Sequence, residues 1–321
     1  MASALQCGHA MREGRPEATI PLGMADGRIL PLTRPDRRRF GARFGEYEVV
    51  APLASGGMGG VYLASHVTSG ERVALKVLDP AFADHAEVVQ RLYAEHAVAS
   101  RARHPGLVDI RGAARSIDDV PYLVMEYLDG ETLAAIHERG GVEVSSLTAL
   151  GAQIAAALAA LHAAGVIHCD VKPENVFVLD ERACGGCFKV KVIDFGVSRL
   201  VDEASPEASI AGTPAYMAPE QWRGRPVPAS DVYALGCVLY ELATGDTPFG
   251  GSLAQLMAAH LDQRPARPSW LRRGLPIELE RLILRSLAKD PELRPSMAEL
   301  AHELGELADA MVATDTLRFA V

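Results

Sequence analysis

Alternating apolar and polar positions mark the first part of the chain. Short alternating runs at residues 47–50, 61–64 and 72–77 are separated by glycine-rich or polar turns, which predicts three consecutive strands. A helical pattern follows over residues 86–103, and an apolar run at residues 122–128 predicts a further strand. This part of the chain is therefore predicted to be a small, mostly antiparallel sheet with one main helix.

In the second part of the chain, hydrophobic positions recur mainly with the spacing of an α-helix. The main helical segments are predicted at residues 145–164, 230–242 and 296–310. Gln153 and His162 interrupt the most apolar stretch, so we interpret it as a buried helix rather than a membrane span. A chain of 321 residues is long enough for about two lobes, and we predict an α+β fold with a larger, mainly helical second lobe.

Neither end of the chain shows a persistent helical or strand spacing of its hydrophobic residues. Residues 1–43 contain scattered glycine and proline and end in an arginine run, which predicts a disordered, arginine-rich N-terminal extension with solvated arginines. Cys7 and His9 within it are too few to form a zinc site. Residues 305–321 are assigned to a C-terminal tail, of which residues 314–319 are either a frayed end or a stretch open to phosphorylation or to a docking partner.

Composition narrows the class of protein. A net charge of −9 at pH 7 argues against a nucleic-acid-binding surface, although residues 1–43 carry eight arginines against four acidic residues. The five cysteines are scattered, which is typical of a reducing compartment. The N-terminus lacks an apolar core followed by a cleavage site, so we expect a cytoplasmic protein with no membrane anchor.

One polar stretch carries the chemistry of the chain, VIHCDVKPEN at residues 166–175. Asp170 can accept a proton, Lys172 supplies a positive charge, and Asn175 offers a neutral oxygen to a hard metal ion. Asp194 then follows a second apolar run, at the start of the tripeptide DFG. Hydroxyl positioning, phosphate neutralisation and magnesium ligation on two neighbouring loops are the requirements of phosphoryl transfer. The sequence therefore predicts a protein that catalyses phosphoryl transfer.

A glycine-rich turn lies between the first two predicted strands, LASGGMGGV at residues 53–61. Glycines allow backbone N–H groups to approach phosphate oxygens closely. Glycine-rich hairpins are common, however, so this signal is weak when taken alone. Lys76 lies within an apolar strand, where an unpaired ammonium would be costly, and we therefore expect it to have an anionic partner.

Together these motifs resemble those of serine/threonine protein kinases of the kind also found in bacteria. HCDVKPEN at residues 168–175 and DFG at residues 194–196 are similar to the catalytic and magnesium loops of that family. The glycine-rich turn, followed by VALK at residues 73–76, is similar to its nucleotide-covering loop and third-strand lysine. The resemblance extends over residues 47–304.

The resemblance implies a two-lobed protein kinase fold over residues 44–304, with the small lobe ending at residue 128 and the large lobe starting at residue 129. ATP would bind between the lobes with Mg²⁺, or with Mn²⁺ in its place. The implied activity is transfer of the ATP γ-phosphate to serine or threonine hydroxyls of protein substrates. Self-association for autophosphorylation is a further expectation.

The site residues implied by the resemblance fall into three groups. The catalytic group comprises Asp170, Lys172, Lys76, Glu95 and Thr213. Asn175 and Asp194 would hold the metal ion. The nucleotide-binding group comprises Ala54, Ser55, Gly56, Gly57, Gly59, Val61, Ala74, Lys76, Met125, Glu126 and Leu128, of which Met125 would be the gatekeeper and 126–128 the hinge. Glu95 would be the anionic partner of Lys76; the alternative is an ordinary surface residue of the predicted helix.

Residues 212–220, GTPAYMAPE, resemble the substrate-docking loop of the family and are called the docking loop below. The resemblance implies that Thr213 bridges toward Asp170 and Lys172. Ser205 and Ser209 precede this loop and are either autophosphorylation sites or ordinary loop serines. Two further implied features are structural: Asp231 steadying the catalytic loop, and an interior ion pair between Arg294 and Glu220.

Two positions depart from the family pattern. Ala54 occupies the place of the first glycine of the nucleotide-covering loop. Cys169 occupies the place of an arginine that normally pairs with a phosphate on the activation segment, residues 194–220 here, and thereby orders that segment. We therefore hypothesise that activity depends little on phosphorylation of that segment. A thiol hydrolase is a poor alternative, because catalytic cysteine and histidine meet through the fold rather than as chain neighbours.

Other interpretations stay open at this stage. Cys184 and Cys187, in CGGC, form half a zinc site, a redox pair, a local disulfide or simply a hairpin tip that holds two thiols. Ala54 and Cys169 mildly favour a kinase-shaped scaffold without useful catalysis. A small-molecule phosphotransferase of similar fold is disfavoured by the docking loop and Arg294.

Overall fold

The computed structural model describes residues 24–25, 28–29, 39–140, 142–179, 188–201 and 212–318. Within the predicted N-terminal extension, β1 (Met24–Ala25) and β2 (Arg28–Ile29) pair antiparallel. Cys7, His9, Cys184, Cys187, Ser205 and Ser209 lie outside the described residues.

The small lobe is built on an antiparallel sheet, as the alternating pattern predicts. Its strands are β3 (Arg43–Phe44), β4 (Tyr47–Gly56), β5 (Gly59–His66), β6 (Arg72–Leu78), β7 (Ile110–Arg115) and β8 (Pro121–Glu126), in the order β3-β4-β5-β6-β8-β7. The helix α1 (Ala86–Ala99) packs against β7 and β8. The side chains that alternate inward pack into the core of this lobe, because successive residues of a strand point to opposite faces.

The glycine-rich turn joins β4 to β5, with Gly56 paired with Gly59. A Cβ atom at Gly59 would collide with the backbone carbonyl of Val77 on the next strand. Only glycine therefore fits at this position, and the close approach of backbone to backbone explains at least one glycine of the turn without reference to a ligand.

The large lobe is mainly helical. Its helices are α2 (Leu133–Glu138), α3 (Val144–Ala163), α4 (Pro219–Trp222), α5 (Pro228–Thr244), α6 (Leu253–Asp262), α7 (Pro268–Leu271), α8 (Ile277–Ser286) and α9 (Met297–Arg318). Its short strands are β9 (Gly130–Thr132), β10 (Val166–Ile167), β11 (Val176–Leu179), β12 (Lys189–Val192) and β13 (Arg199–Leu200). β11 pairs with β12 and β9, and β10 pairs with β13. The strands therefore frame the polar stretch from both sides.

Two apolar helices, α3 and α5, form the centre of the large lobe. Leu147, Ile154, Leu158 and Leu161 of α3 are fully buried. Within the described part of the chain, residues Ser146–Ala163 are the one helical segment whose length and composition would suffice to cross a membrane, and half of that segment is buried inside the fold. Gly245 ends α5 in a left-handed conformation, which is the usual helix stop.

The structure differs from the sequence-based expectations at both ends. Arg39 was expected to be solvated, but its guanidinium lies over the rings of Phe44 and Tyr62, 5.6 and 5.8 Å from their centroids. The last helix was expected to end near residue 310, but α9 continues to Arg318 and packs along α3. Leu307 contacts the main core there. In both cases apolar surface on the folded domain supplies a partner that local sequence does not show.

Candidate active site

Three charged side chains meet between the lobes. Lys76 on β6 places its Nζ 2.7 Å from Oε2 of Glu95 on α1 and 2.9 Å from Oδ1 of Asp194. Glu95 is buried, so it is not the surface residue of the alternative interpretation. The three residues come from three separate segments of the chain. Lys76, which was expected to have an anionic partner, therefore has two, Glu95 and Asp194.

The Lys76 ammonium favours the charged form of both carboxylates in this cluster, although burial raises the pKa of Glu95 overall. The Lys76 ammonium holds the pKa of Asp194 well below its ordinary value. Burial by itself would lower the pKa of Lys76, but the Asp194 and Glu95 carboxylates raise it above its ordinary value. Both groups are therefore charged at neutral pH, which leaves a fixed ammonium and a fixed carboxylate facing the cleft.

A second polar cluster joins the catalytic loop to the docking loop. Lys172 Nζ lies 2.6 Å from Asp170 Oδ2 and donates to Thr213 Oγ1 at 2.8 Å. Thr213 donates to Asp170 Oδ1 through its hydroxyl at 2.7 Å and through its backbone N–H at 2.8 Å. The contacts that the family resemblance implied for Thr213 are therefore present, and both carboxylate oxygens of Asp170 have partners.

Asn175 connects the two clusters. Its Nδ2 donates to the backbone carbonyl of Asp170 at 2.9 Å and to Asp170 Oδ2 at 3.2 Å. The backbone carbonyl of Asn175 accepts from the backbone N–H of Ile193 at 2.9 Å, and Asp194 is the next residue of the chain. Asp170, Asn175 and Asp194 therefore belong to one polar site, although they come from two loops.

The donor set fits a magnesium ion. Because the amide nitrogen of Asn175 is engaged with Asp170, its amide oxygen is the atom available to a cation, and the carboxylate of Asp194 supplies the second candidate ligand. No group of three or more His, Cys, Asp and Glu side chains suitable for a metal is found among the described residues. Mg²⁺ does not require one, because it typically uses one or two protein oxygens together with substrate phosphates.

Asp231 of α5 holds the catalytic loop from beneath. Its carboxylate accepts the backbone N–H groups of His168 at 2.8 Å and Cys169 at 2.9 Å, and it contacts His162 Nε2 at 2.8 Å. Burial would raise the pKa of Asp231, but these hydrogen bonds lower it overall. Cys169 has a left-handed backbone, with φ of 67°, which is unfavourable for a residue with a side chain. The two hydrogen bonds to Asp231 help to hold that strained turn.

Cys169 makes no charged contact of the kind an arginine would make. Its side chain is buried, with Sγ 3.7 Å from the carbonyl of Ile167, and burial raises the pKa of the thiol. Its backbone carbonyl instead accepts from Gln221 Nε2 at 2.8 Å. Gln221 follows the docking loop directly, and the sequence analysis did not identify it. It links the end of the activation segment to the catalytic loop without a phosphate.

The residues assigned to nucleotide binding line one end of the small sheet. In the strand register, Ala54 pairs with Val61, Val61 with Lys76, and Ala74 with Met125. The structure thus brings together residues of the glycine-rich turn, the third strand and the strand that leads to the hinge. Ser55, Gly56, Gly57 and Gly59 lie at the turn itself, and Glu126 and Leu128 lie where the chain leaves the small lobe.

The side chain of Glu126 has a partner that sequence reasoning missed. Its Oε1 lies 2.6 Å from Lys191 Nζ on β12 and accepts the backbone N–H of Asp109 at 2.7 Å. Lys191 also donates to the carbonyl of Leu107 at 3.1 Å. Lys191 stands three residues before Asp194, so this network connects the hinge to β12, the strand that precedes the candidate metal ligand.

Comparison with known proteins agrees with this geometry. The family model described as the protein kinase domain matches residues 47–304. Serine/threonine-protein kinase Pkn1 of Myxococcus xanthus is 39% identical over 305 residues, which is 90% of this chain and 43% of the relative. Serine/threonine-protein kinase PknB of Mycobacterium leprae is 38% identical over 268 residues, 80% of this chain and 42% of the relative. The chain thus spans less than half the length of these two relatives.

Solved structures show the same fold. The crystal structure of the Mycobacterium tuberculosis PknI kinase domain superposes with a TM-score of 0.65 at 29% sequence identity. The match covers 83% of this chain and 98% of the PknI chain. With the two-lobed architecture, the polar site between the lobes and a family match over most of its length, the chain belongs to the protein kinase domain family.

Proposed function

We propose that this chain is a serine/threonine protein kinase, which transfers the γ-phosphate of ATP to serine or threonine hydroxyls of protein substrates. The observation that supports this most directly is the connected site formed by two clusters: Lys76, Glu95 and Asp194 on one side, and Asp170 with Lys172 on the other. Asn175 joins the two clusters. Relatives that bear the name serine/threonine-protein kinase support the same activity.

In this proposal Asp170 and Lys172 act on the hydroxyl and on the transferred phosphoryl group. Asp170 orients the substrate hydroxyl and accepts its proton, and Lys172 offsets negative charge as the phosphoryl group moves. The 2.6 Å contact between them keeps the ammonium beside the carboxylate. Thr213 holds the docking loop against this pair, so a protein bound to that loop would present its hydroxyl close to Asp170.

The nucleotide would lie under the glycine-rich turn, with its phosphates reaching toward Lys76. Glu95 and Asp194 hold Lys76 in place, so its ammonium is positioned before a phosphate arrives. The backbone of residues 126–128 would meet the adenine ring, beside Met125. Asn175 and Asp194 would hold Mg²⁺ or Mn²⁺, and the bound ion supplies charge neutralisation at the phosphates.

The proposal extends to the setting of the enzyme. Cys169 and Cys237 are free and buried thiols, which is in keeping with a cytoplasmic protein. Its partners would be proteins that present serine or threonine, including a second copy for autophosphorylation, and we propose no role for nucleic acid or for a membrane.

The alternative candidate, a kinase-shaped scaffold without catalysis, has less support. It was motivated by Ala54 and Cys169. Ala54 is paired normally with Val61 in the strand register. The turn at Cys169 is held by Asp231 and Gln221 rather than by an arginine. Neither departure removes a group from the site between the lobes.

Radiolabelled phosphate transfer from ATP to myelin basic protein tests the proposal. We expect labelling by the wild-type chain and a loss of about 10²–10⁴ in rate for Asp170→Asn, because that substitution removes the proton acceptor. Asp118→Asn, at an exposed loop of the small lobe, is the matched control and should label at the wild-type rate. Equal labelling by wild type and Asp170→Asn would reject the role of Asp170. No labelling by either would favour the scaffold.

A further inference from the structure

Residues 39–44 pack on the sheet of the small lobe just before β4, and they are called the strap below. A backbone hydrogen bond in each direction joins the strap to Val49 of β4, at 2.9 and 3.0 Å. Its Phe44 is buried, and the ring is in edge contact with that of Tyr122, with 5.3 Å between the centroids. The strap precedes residues 47–304, the part of the chain that matches the family model. The family pattern therefore says nothing of its contacts.

The tip of the glycine-rich turn, residues 56–60, rests on two groups of the small lobe. One is the chain at the end of β6, where Asp79 N–H donates to the Met58 carbonyl at 2.8 Å. The other is the ring of Tyr62, which lies so close to Gly60 that a Cβ atom there would be 2.9 Å from it. Four of the five residues of the tip are glycine, the residue with the greatest backbone freedom. The position of the tip therefore depends on what holds these two groups.

Arg39 of the strap contacts both groups. Its guanidinium lies 5.8 Å from the centroid of the Tyr62 ring, and a cation over the face of an aromatic ring is attracted to it. Its Nη2 donates to the carbonyl of Leu78, the last residue of β6, at 3.4 Å. β6 pairs with β8 only as far as Val77, so Leu78 lies beyond the last pair of those two strands. One side chain thus joins the two groups on which the tip rests.

Arg39 lies on the face of the sheet that the nucleotide would not touch. Tyr62 pairs with Leu75, the neighbour of Lys76, and successive residues of a strand point to opposite faces. The Tyr62 ring, and with it the Arg39 guanidinium, therefore lies on the side away from the Lys76 ammonium. Any effect of Arg39 on ATP must pass through the backbone of the glycine-rich turn.

We propose that Arg39 is a positioning residue for the nucleotide: it holds the Tyr62 ring and the end of β6 together beneath the glycine-rich turn, and so keeps the turn over the ATP phosphates. When only a fraction of the molecules has the competent conformation, the apparent affinity for a ligand is reduced by that fraction. Arg39 raises the fraction in which the turn is in place. The inference rests on the proposed kinase function, and it assigns to Arg39 an effect on nucleotide binding and none on protein binding.

Fluorescence titration with mant-ATP in the presence of Mg²⁺, beside steady-state kinetics, tests this role. Arg39→Met keeps the aliphatic stem and removes the charge and the donors. We expect the Kd for mant-ATP and the KM for ATP to rise about 3- to 10-fold, the effect of losing one cation–π contact and one hydrogen bond. The kcat and the KM for myelin basic protein should stay within about twofold of wild type, because the catalytic and docking loops are not touched. Arg39→Lys returns a cation to the rings and should bind mant-ATP more tightly than Arg39→Met.

Arg43→Met is the matched control from the same strap. The Arg43 side chain is exposed and its Nε lies 3.7 Å from Glu48, so this variant should bind mant-ATP as the wild type does. An unchanged Kd in Arg39→Met, or an equal rise in Arg43→Met, would overturn the role of Arg39. A fall in kcat together with a rise in the KM for myelin basic protein would also overturn it, because that result indicates general distortion of the fold.

Amide hydrogen exchange of the nucleotide-free protein separates this role from the proposed function. Exchange reports local opening of the backbone, so residues 53–61 should exchange faster in Arg39→Met than in wild type or Arg43→Met, with no change at residues 166–175. Unchanged exchange of the turn would overturn the role of Arg39 whether or not the chain labels substrate. Faster exchange and weaker binding of mant-ATP, together with no labelling of myelin basic protein by the wild type, would instead count against the kinase proposal and leave the role of Arg39 standing.

Discussion

Arg294 and Glu220 form a two-pronged ion pair inside the large lobe, with Nη1–Oε1 and Nη2–Oε2 distances of 2.7 and 2.9 Å. The Arg294 side chain is fully buried, and it also donates to the backbone carbonyls of Ala229 and Ala288 at 2.7 Å each. Glu220 ends the docking loop, so the pair attaches that loop to the start of α5 and to the segment before α9.

Arg294→Ala should lower the free energy of unfolding by about 3–5 kcal/mol, because it leaves the Glu220 carboxylate buried without its partner. Denaturant unfolding measures the change. Arg285→Ala is the matched control. Arg285 lies 2.6 Å from Glu303, and both side chains are partly exposed to solvent, so the removal of Arg285 should cost no more than about 1 kcal/mol. Equal losses in the two variants would contradict the interior role of Arg294.

Asp231 should make the catalytic loop sensitive to acid. Its folded pKa lies below the ordinary value of 3.8, so the stability it contributes is present above about pH 4 and is lost as the pH falls through the folded pKa. Asp231→Asn should therefore lower the free energy of unfolding by at least about 1–3 kcal/mol at pH 7. The gap between the two proteins should narrow below about pH 4. A gap that stays constant down to about pH 3 would show that the charge of Asp231 does not matter.

Phosphatase treatment should leave most of the activity intact. Gln221 holds the carbonyl of Cys169, and Thr213 holds Asp170, so the end of the activation segment is attached to the catalytic loop without a phosphate. The measurement is the rate of phosphate transfer before and after treatment, with mass spectrometry to verify dephosphorylation. A large loss of rate would contradict the hypothesis. Arg199, brought beside Cys169 by the pairing of β10 with β13, would then be the basic residue to test.

Much of the site could be predicted from the sequence, because its residues lie in short motifs with fixed spacing. Asp170, Lys172 and Asn175 stand on one loop, and the burial of Lys76 in an apolar strand required an anion. The sequence also favoured the pairing of Lys76 with Glu95, and the structure places their charged atoms 2.7 Å apart. Local order along the chain was enough for these residues.

The contacts that sequence reasoning missed join residues far apart along the chain. Glu126 and Lys191 are 65 positions apart, and Cys169 and Gln221 are 52 positions apart. Lysine and glutamine are ordinarily surface residues, and nothing in their local sequence indicates a partner. The same limit explains Arg39, which was expected to be solvated, and Leu307 of α9; both pack on the folded domain.

The sequence by itself determined the elements and the chemistry: alternation specified the small sheet, alanine-rich periods specified the helices, and the spaced polar residues specified the class of reaction. Only the tertiary structure decided which of the polar side chains meet, and that Cys169 is held by Asp231 and Gln221. The physical reason is that periodicity and motif spacing report on neighbours within a turn or a strand. Burial and ion pairing between distant segments depend instead on which segments the tertiary fold brings into contact.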